Sequence, residues 1–369
     1  MRLIPTEMLK PDMVLARSVY QRDALVLKAG SRNISRYIPN LTNMGIRYVY
    51  VEDEQSRGIT IPDAITEQTR VTCKKVLRNT IEKCLEKDSM NLSSLSDSVD
   101  EIIGEVIRNK DVQVSLNDIG ATDEYTYLHS VSVCVYSLLI GRSLNYNKSA
   151  MQKLAMGALL HDIGKVALDA KILYKTEDLT SDEYDYVQQH VIAGYQILQY
   201  SAALPEISKK IAITHHERLD GSGYPYGLKS KQIHEFSKIV AIADVYDALT
   251  TDRCYREKLP TNKAVDYLIE KSGTYFAPEL VQLFIRQIAI YPNGSMVLLS
   301  NRMQAIVKDQ NRNVPLRPVV RVISDENGKS VVPYEIDLME ELSITIIESE
   351  LEIRRKLLNQ EITRKPVVI

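Results

Sequence analysis

Hydrophobic and polar positions divide the chain into four stretches with different rhythms. Near the start, "MVLARSVY" (13–20), "ALVLKAG" (24–30) and "RYVYVED" (47–53) are short runs rich in Val, Leu and Tyr. Runs of this kind between turn residues predict strands. Among them, "SRYIPNLTNMGI" (35–46) predicts a short helix that tolerates Pro39 and stops near Gly45. In "EQTRVTCKKVLRNTIEKCLEK" (67–87), Val71, Val76, Ile81 and Leu85 stand roughly one helical turn apart among charges. "SLSDSVDEIIGEVIRN" (94–109) follows as a second helix. From 119 to 293 the periodicity is helical almost throughout. After "YPNG" (291–294) it changes to "SMVLLS", "QAIVKD" and "PVVRVIS", short β-type runs, before a charged helix or tail, "ESELEIRRKLLNQEITRK". The expected architecture is mainly α. A small α+β module occupies 1–62, connecting helices 63–118, a helical domain 119–293 and a β-rich region 294–369.

Composition narrows the class. With 44% hydrophobic and 25% charged residues, the chain is an ordinary globular protein. A net charge of −2 argues against a general DNA or RNA binder, which usually carries a basic patch. It leaves room for a small anionic ligand held by a local positive site. Cys73, Cys84, Cys134 and Cys254 lack CxxC spacing, so a structural zinc site is not expected, and Cys134 reads as a buried thiol. The start "MRLIPTEMLKPDM" has no apolar signal region, and no apolar run approaches the ~20 residues that span a bilayer. The expectation is a reduced, cytoplasmic protein without membrane insertion.

The chemistry lies in the histidines, all six of which fall within 119–293: His129, His161, His190, His215, His216 and His234. In "TSDEYDYVQQHVIAGYQIL", Thr180 and Glu183 form a capping box. Tyr184, Val187, His190, Gly194 and Ile197 then share one helical face, which turns His190 inward. In "SAMQKLAMGALLHDIGK", Leu154, Ala158 and His161 share a face with Asp162 beside it. In "SKIVAIADVYDALT", Val240, Ala243, Asp244 and Asp247 do the same. Any one of these histidines alone is more simply a packed core residue, and His234, in "KSKQIHEF", reads as surface. The set is different. A buried ionised aspartate is costly unless paired or metal-bound, and Asp162 and Asp244 with five inward histidines call for cations. Imidazole and carboxylate without thiolate favour iron or manganese, with zinc also compatible.

The order His129, "HDIGK", His190, "HHERLDGSGYP", Asp244 resembles the HD-GYP family, bacterial phosphodiesterases of second-messenger signalling within the HD superfamily. The likeness covers roughly 119–293, and "HHERLDGSGYP" is its most specific part. The resemblance implies a helical HD-domain bundle and hydrolysis of cyclic di-GMP to linear pGpG, and slowly if at all to GMP, by a hydroxide shared between two divalent metals. It assigns His129, His161, Asp162 and Asp244 to one metal and His190, His215 and His216 to the other, with Asp162 bridging. Lys165 would act with Asp162 in catalysis and reach the phosphate. Gly221 and Gly223 would fold the loop over the site, Tyr224 would face the substrate, and Arg253 and Arg256 would grip phosphate oxygens. Asp220 and Asp247 would hold ligands or solvent from outside the metal sphere. Two departures stand out. Cys254 replaces a common proline, and Tyr125 occupies the position where some members place a third-metal glutamate, so two metals are expected. A substrate other than cyclic di-GMP, a non-catalytic cyclic di-GMP receptor, a homodimer and a signalling partner protein remain open alternatives.

Overall fold

The computed structural model describes residues 1–21, 24–87, 92–109, 125–173, 175, 177–251, 258–312, 314–349 and 352–353. Strands β1 (Arg2–Pro5), β2 (Val14–Leu15), β3 (Val19–Gln21) and β4 (Ala24–Leu27), helix α1 (Ile38–Asn43) and strand β5 (Tyr48–Glu52) build the N-terminal module. β5 is the centre of an antiparallel sheet in the order β1-β5-β2, and β3 pairs with β4 as a separate hairpin. The run 13–20 therefore divides in two. After Leu15 the chain leaves β5, with the Ala16 amide donating to Tyr50 at 2.7 Å, and pairs onward with β4. β1 escaped the sequence reading because "RLIP" is too short and proline-ended to carry a strand signal. Its pairing with β5, Arg2 opposite Val51, makes it one. Leu15, Leu41, Ile46, Val49 and Val51 form this module's core.

Helices α2 (Glu67–Lys87) and α3 (Ser93–Arg108) lead into the helical domain. The buried stripe of α2 is not the expected one. Cys73, Leu77 and Ile81 are buried, whereas Val71 and Val76 are only partly covered. Intervals of five residues drift off a 3.6-residue face, while 73, 77 and 81 repeat every four. The domain continues with α4 (Tyr125–Ser143), α5 (Lys148–Leu160), α6 (Ala170–Leu173), α7 (Ser181–Gln188), α8 (His190–Gln199), α9 (Glu206–Thr214), α10 (Glu235–Thr250), α11 (Thr261–Glu270) and α12 (Pro278–Ile285). Its core is continuous, with Tyr136, Tyr246 and Phe284 packed edge to face. Cys134 is fully buried there, and burial pushes its thiol well above the usual range.

The stretch 181–199, read as one helix, is two. The Thr180–Glu183 capping box is present, but the chain bends at Gln189 and Tyr184 is 54% exposed. A face projected straight through the bend therefore fails at its first member. Beyond the helices, β6 (Met296–Leu299), β7 (Gln304–Asp309), β8 (Val319–Ser324), β9 (Ser330–Asp337) and β10 (Ile346–Ser349) form an antiparallel sheet in the order β10-β6-β7-β8-β9. This sheet is bound to the N-terminal module: Arg321 donates to the Arg57 carbonyl at 2.6 Å, and Asn293 to that of Thr60 at 2.9 Å. Most of the charged C-terminal segment lies outside the described residues. Among the described residues, no helix is long and apolar enough to cross a membrane.

Candidate metal centre

Five structural elements bring the inward residues together. Helix α5, capped by Asn147 accepting from the Ala150 amide, ends at His161, and the chain then tightens into a 3-10 turn over Ile163–Ala167. That turn presents Asp162 beside His161 and places Lys165 one turn on. α8 begins at His190, and α9 ends where His215 and His216 follow. α4 supplies His129, and α10 supplies Asp244 and Asp247 one turn apart.

Asp162 is the hub. Its Oδ1 lies 3.4 Å from His190 Nε2 and 3.9 Å from His215 Nε2, while Oδ2 lies 3.4 Å from His161 Nε2 and 3.7 Å from His129 Nε2. Two ligand-capable groups result, Asp162–His190–His215–His216 and His129–His161–Asp162, sharing one carboxylate. Asp244 Oδ1 is 3.1 Å from His129 Nε2, and its other oxygen is 3.9 Å from His216 Nδ1, so it faces both groups and not the His129 group alone.

The imidazoles are held by their other nitrogens. His161 Nδ1 donates to the Ala158 carbonyl at 2.7 Å, His190 Nδ1 to Val187 at 2.7 Å and His215 Nδ1 to Ile211 at 3.1 Å. A carbonyl can only accept, so Nδ1 carries the proton and the Nε2 lone pair points inward. Those three Nε2 atoms and Asp162 Oδ1 are buried without a hydrogen-bond partner. Orphaned buried polar atoms are rare because each costs the desolvation of that group. Four of them converging on one space fit a divalent cation.

Electrostatics agree with that reading. Burial pushes His215 down to about 3 and lowers His190 and His216, keeping these rings neutral as metal ligands must be. Burial opposes ionisation of Asp162 and Asp244, but Lys165 and the surrounding histidines hold the first, and chiefly His129 the second, well below the ordinary carboxylate range. His129 is the exception. Burial alone would lower it, yet Asp244 and Asp247 together raise it to about 9. Asp247 Oδ2 stands 2.6 Å from His129 Nδ1 on the side away from the centre and so orients that ring. Asp247→Ala is expected to weaken metal retention by about 10–100-fold, the usual cost of losing a carboxylate behind a ligating histidine. Chelator titration of the loaded protein reads this, and unchanged retention would remove Asp247 from the centre.

The remaining candidates separate. Lys165 Nζ bonds Asp162 Oδ2 at the edge of the centre. Gly221 adopts φ +87°. A Cβ at Gly223 would lie 2.4 Å from the His216 carbonyl and 2.5 Å from the Arg218 amide, so only glycine lets the loop close on the histidine pair. Tyr224 stacks on His216, with centroids 4.7 Å apart and planes 27° apart, and precedes a cis peptide to Pro225. Asp220 departs from expectation. It is exposed, and its carboxylate accepts from the Ser222 amide and hydroxyl, so it braces the turn and not a ligand. Arg253, Arg256, Asp123 and Glu124 lie outside the described residues, as does the side chain of Tyr125.

Two contributors were missed. Glu217, 2% exposed, accepts from the Tyr226 amide at 2.9 Å and the Leu228 amide at 2.8 Å, tying the glycine loop down from inside. Its signal was an acid directly after two histidines and before a loop with many unpaired amides. His234 does lie at the surface, but as the cap of α10, accepting from the Phe236 amide.

Comparison with known proteins follows the same division. An "HD domain" family profile matches residues 118–280, and a profile described as "KOW domain associated with HD domain" matches 296–354. The chain is 34% identical over 248 residues to cyclic di-GMP phosphodiesterase PA4108 of Pseudomonas aeruginosa, covering 67% of this chain and 60% of that protein. It is 36% identical over 165 residues to a cyclic di-GMP phosphodiesterase of Thermotoga maritima, covering 44% and 45%. It is 35% identical over 170 residues to 3'3'-cGAMP-specific phosphodiesterase 2 of Vibrio cholerae, covering 46% and 33%. The chain thus spans less than two thirds of the length of each of these curated relatives. Among solved structures, Bd1817, an HDG"Y"P protein from Bdellovibrio bacteriovorus, shares the fold with a TM-score of 0.51 at 20% identity, covering 76% of this chain and 97% of that one.

Proposed function

The chain belongs to the HD-GYP family of HD-domain proteins, and on that premise we propose that it hydrolyses cyclic di-GMP to linear pGpG using two divalent cations, iron or manganese. The observation that carries this reading is Asp162, one carboxylate shared by two groups of imidazoles, among which the inward nitrogens of His161, His190 and His215 are buried without a hydrogen-bond partner. His129, His161, Asp162 and Asp244 would hold one cation, and Asp162, His190, His215 and His216 the other. When bound, such a pair supplies water acidified toward neutral pH and positive charge against the phosphoryl oxygens.

The chain's own residues do the rest. Carbonyls behind His161, His190 and His215 fix each ring before substrate arrives, so no reorganisation is needed at the moment of reaction. Lys165 sits beside Asp162 with its ammonium at the rim of the centre, placed to take up charge developing on the phosphate. Tyr224, stacked on His216 and anchored through the Glu217-tied loop, walls one side and limits water there. Lys165→Ala should retain metal and lower kcat by roughly a hundredfold, the scale of one preorganised charge-stabilising donor. An unchanged rate would take Lys165 out of the reaction.

The deciding experiment is anaerobic turnover by protein loaded with iron or manganese, with products separated by chromatography and metals counted in the same sample. Conversion of cyclic di-GMP to pGpG with about two metals per chain supports the proposal. Because one relative carries a 3'3'-cGAMP-specific name, cGAMP belongs in the substrate panel, and exclusive turnover of it would change the substrate but not the reaction. Bound metal and bound cyclic di-GMP without conversion would make the protein a receptor.

A further inference from the structure

Beside the metal centre a pocket of about 80 Å³ opens between α2, α4 and the 3-10 turn that carries Asp162 and Lys165. Ile81 of α2, Val166 and Leu173 give it apolar walls, and Thr126, Tyr127 and Ser130 of α4 bring hydroxyl-bearing side chains to its lining. Asp162 and Lys165 line it as well, so the pocket and the metal centre share a border. We propose that this pocket is the subsite for a nucleobase of the substrate. The inference rests on the reading above that the substrate is a cyclic dinucleotide.

Three features select that occupant. A group seated against Asp162 and Lys165 is next to where the scissile phosphate must lie, which is where a nucleotide carries its base. Apolar walls with hydroxyls among them suit a flat ring with apolar faces and a polar rim. A second phosphate would have to compete with the Asp162 carboxylate for the Lys165 ammonium and would otherwise lie against the hydrocarbon of Ile81, Val166 and Leu173. The volume corresponds to roughly five to eight water positions at about 10–15 Å³ each. Waters lying against Ile81, Leu159, Ile163, Val166 and Leu173 are poorly bonded on that side, and displacing them with an apolar-faced ring is favourable. Ile81 adds a consequence. It lies on α2, outside the matched 118–280 region, and is 5% exposed in line with Cys73 and Leu77. One wall of the subsite is therefore supplied by the helix that connects the N-terminal module to the catalytic half.

The test compares binding of GMP and of ribose 5-phosphate to manganese-loaded protein by titration calorimetry. The two probes share the ribose phosphate, and a hydroxyl on ribose 5-phosphate takes the place of the base. The wild type is expected to prefer GMP by about tenfold or more. Leu173→Trp, which fills the pocket from its half-buried edge, should cut that preference below about twofold and leave ribose 5-phosphate binding unchanged. Val166→Trp is a second filling variant, and melting curves and metal counts show which of the two folds. Equal binding of both probes by the wild type, or a preference that survives in the folded variants, would overturn the subsite. Cyclic di-GMP turnover in the same samples keeps the two readings apart. A base preference lost on filling, with no turnover by the wild type, leaves the subsite standing and removes the reaction; turnover without a base preference does the reverse.

Discussion

Asp162→Ala is expected to abolish metal retention and turnover together. The substitution removes the carboxylate that belongs to both ligand groups, with one oxygen facing His190 and His215 and the other facing His161 and His129. Each group would keep imidazoles but lose the negative charge between them, and two dications in adjacent positions repel strongly without it. Removing a single charge-stabilising donor typically costs 10²–10³ in rate. Losing both cations should therefore cost more than about a thousandfold, and the metal count should fall well below that of the wild type. The fold should survive, because the charge left behind, Lys165, has a side chain 22% exposed and can turn its ammonium to solvent. Three measurements on one sample decide it: metals per chain, pGpG formed and the melting temperature. A variant that keeps its metals and its rate would move the centre elsewhere. One that loses rate but keeps both metals would make Asp162 a reacting group and not a bridge.

The candidate residues were legible because their signal is chemical and local. Few residue types hold a divalent cation, and an aspartate beside a histidine at the end of an apolar helix is conspicuous against hydrocarbon. The structure brings His129, His161, Asp162, His190, His215, His216 and Asp244 into one cluster, buried except for the half-buried His216. What periodicity missed depends on partners distant in sequence. β1 becomes a strand only because β5 lies alongside it, with Arg2 opposite Val51 across the sheet. The bend at Gln189 changes which face of α7 is covered, so Tyr184 is exposed while His190 remains inside. Glu217 and Asp220 are both acids near the glycine loop. Only three-dimensional closure decides that the first binds the loop from within and the second stays in water.

The Gly164→Ala variant shows how close that closure is. The glycine of "HDIGK" would ordinarily be read as a flexible hinge before the lysine, but its φ lies outside the left-handed region, so conformational freedom is not its purpose. A Cβ there would stand 1.9 Å from the His190 carbonyl and 2.4 Å from the Gly194 amide. All of those neighbours are backbone, and backbone at the start of a helix cannot swing aside as a flexible side chain would. Gly194 reciprocates from α8: a Cβ on it would lie 3.2 Å from the Gly164 amide. The two glycines thus set the separation between the turn carrying Asp162 and the helix that begins with His190. That separation is also the 3.4 Å between Asp162 Oδ1 and His190 Nε2. One added methyl must push α8 away, and overpacking against rigid neighbours costs about 3 kcal/mol or more. The expected result is a melting temperature lowered by roughly 6–12 °C, with the His190 group losing metal before the His129 group. Metal counts below the melting transition test that order. A stable variant with full metal and full rate would mean that α8 can shift without cost, and the distance between Asp162 and His190 would no longer be what the glycines maintain.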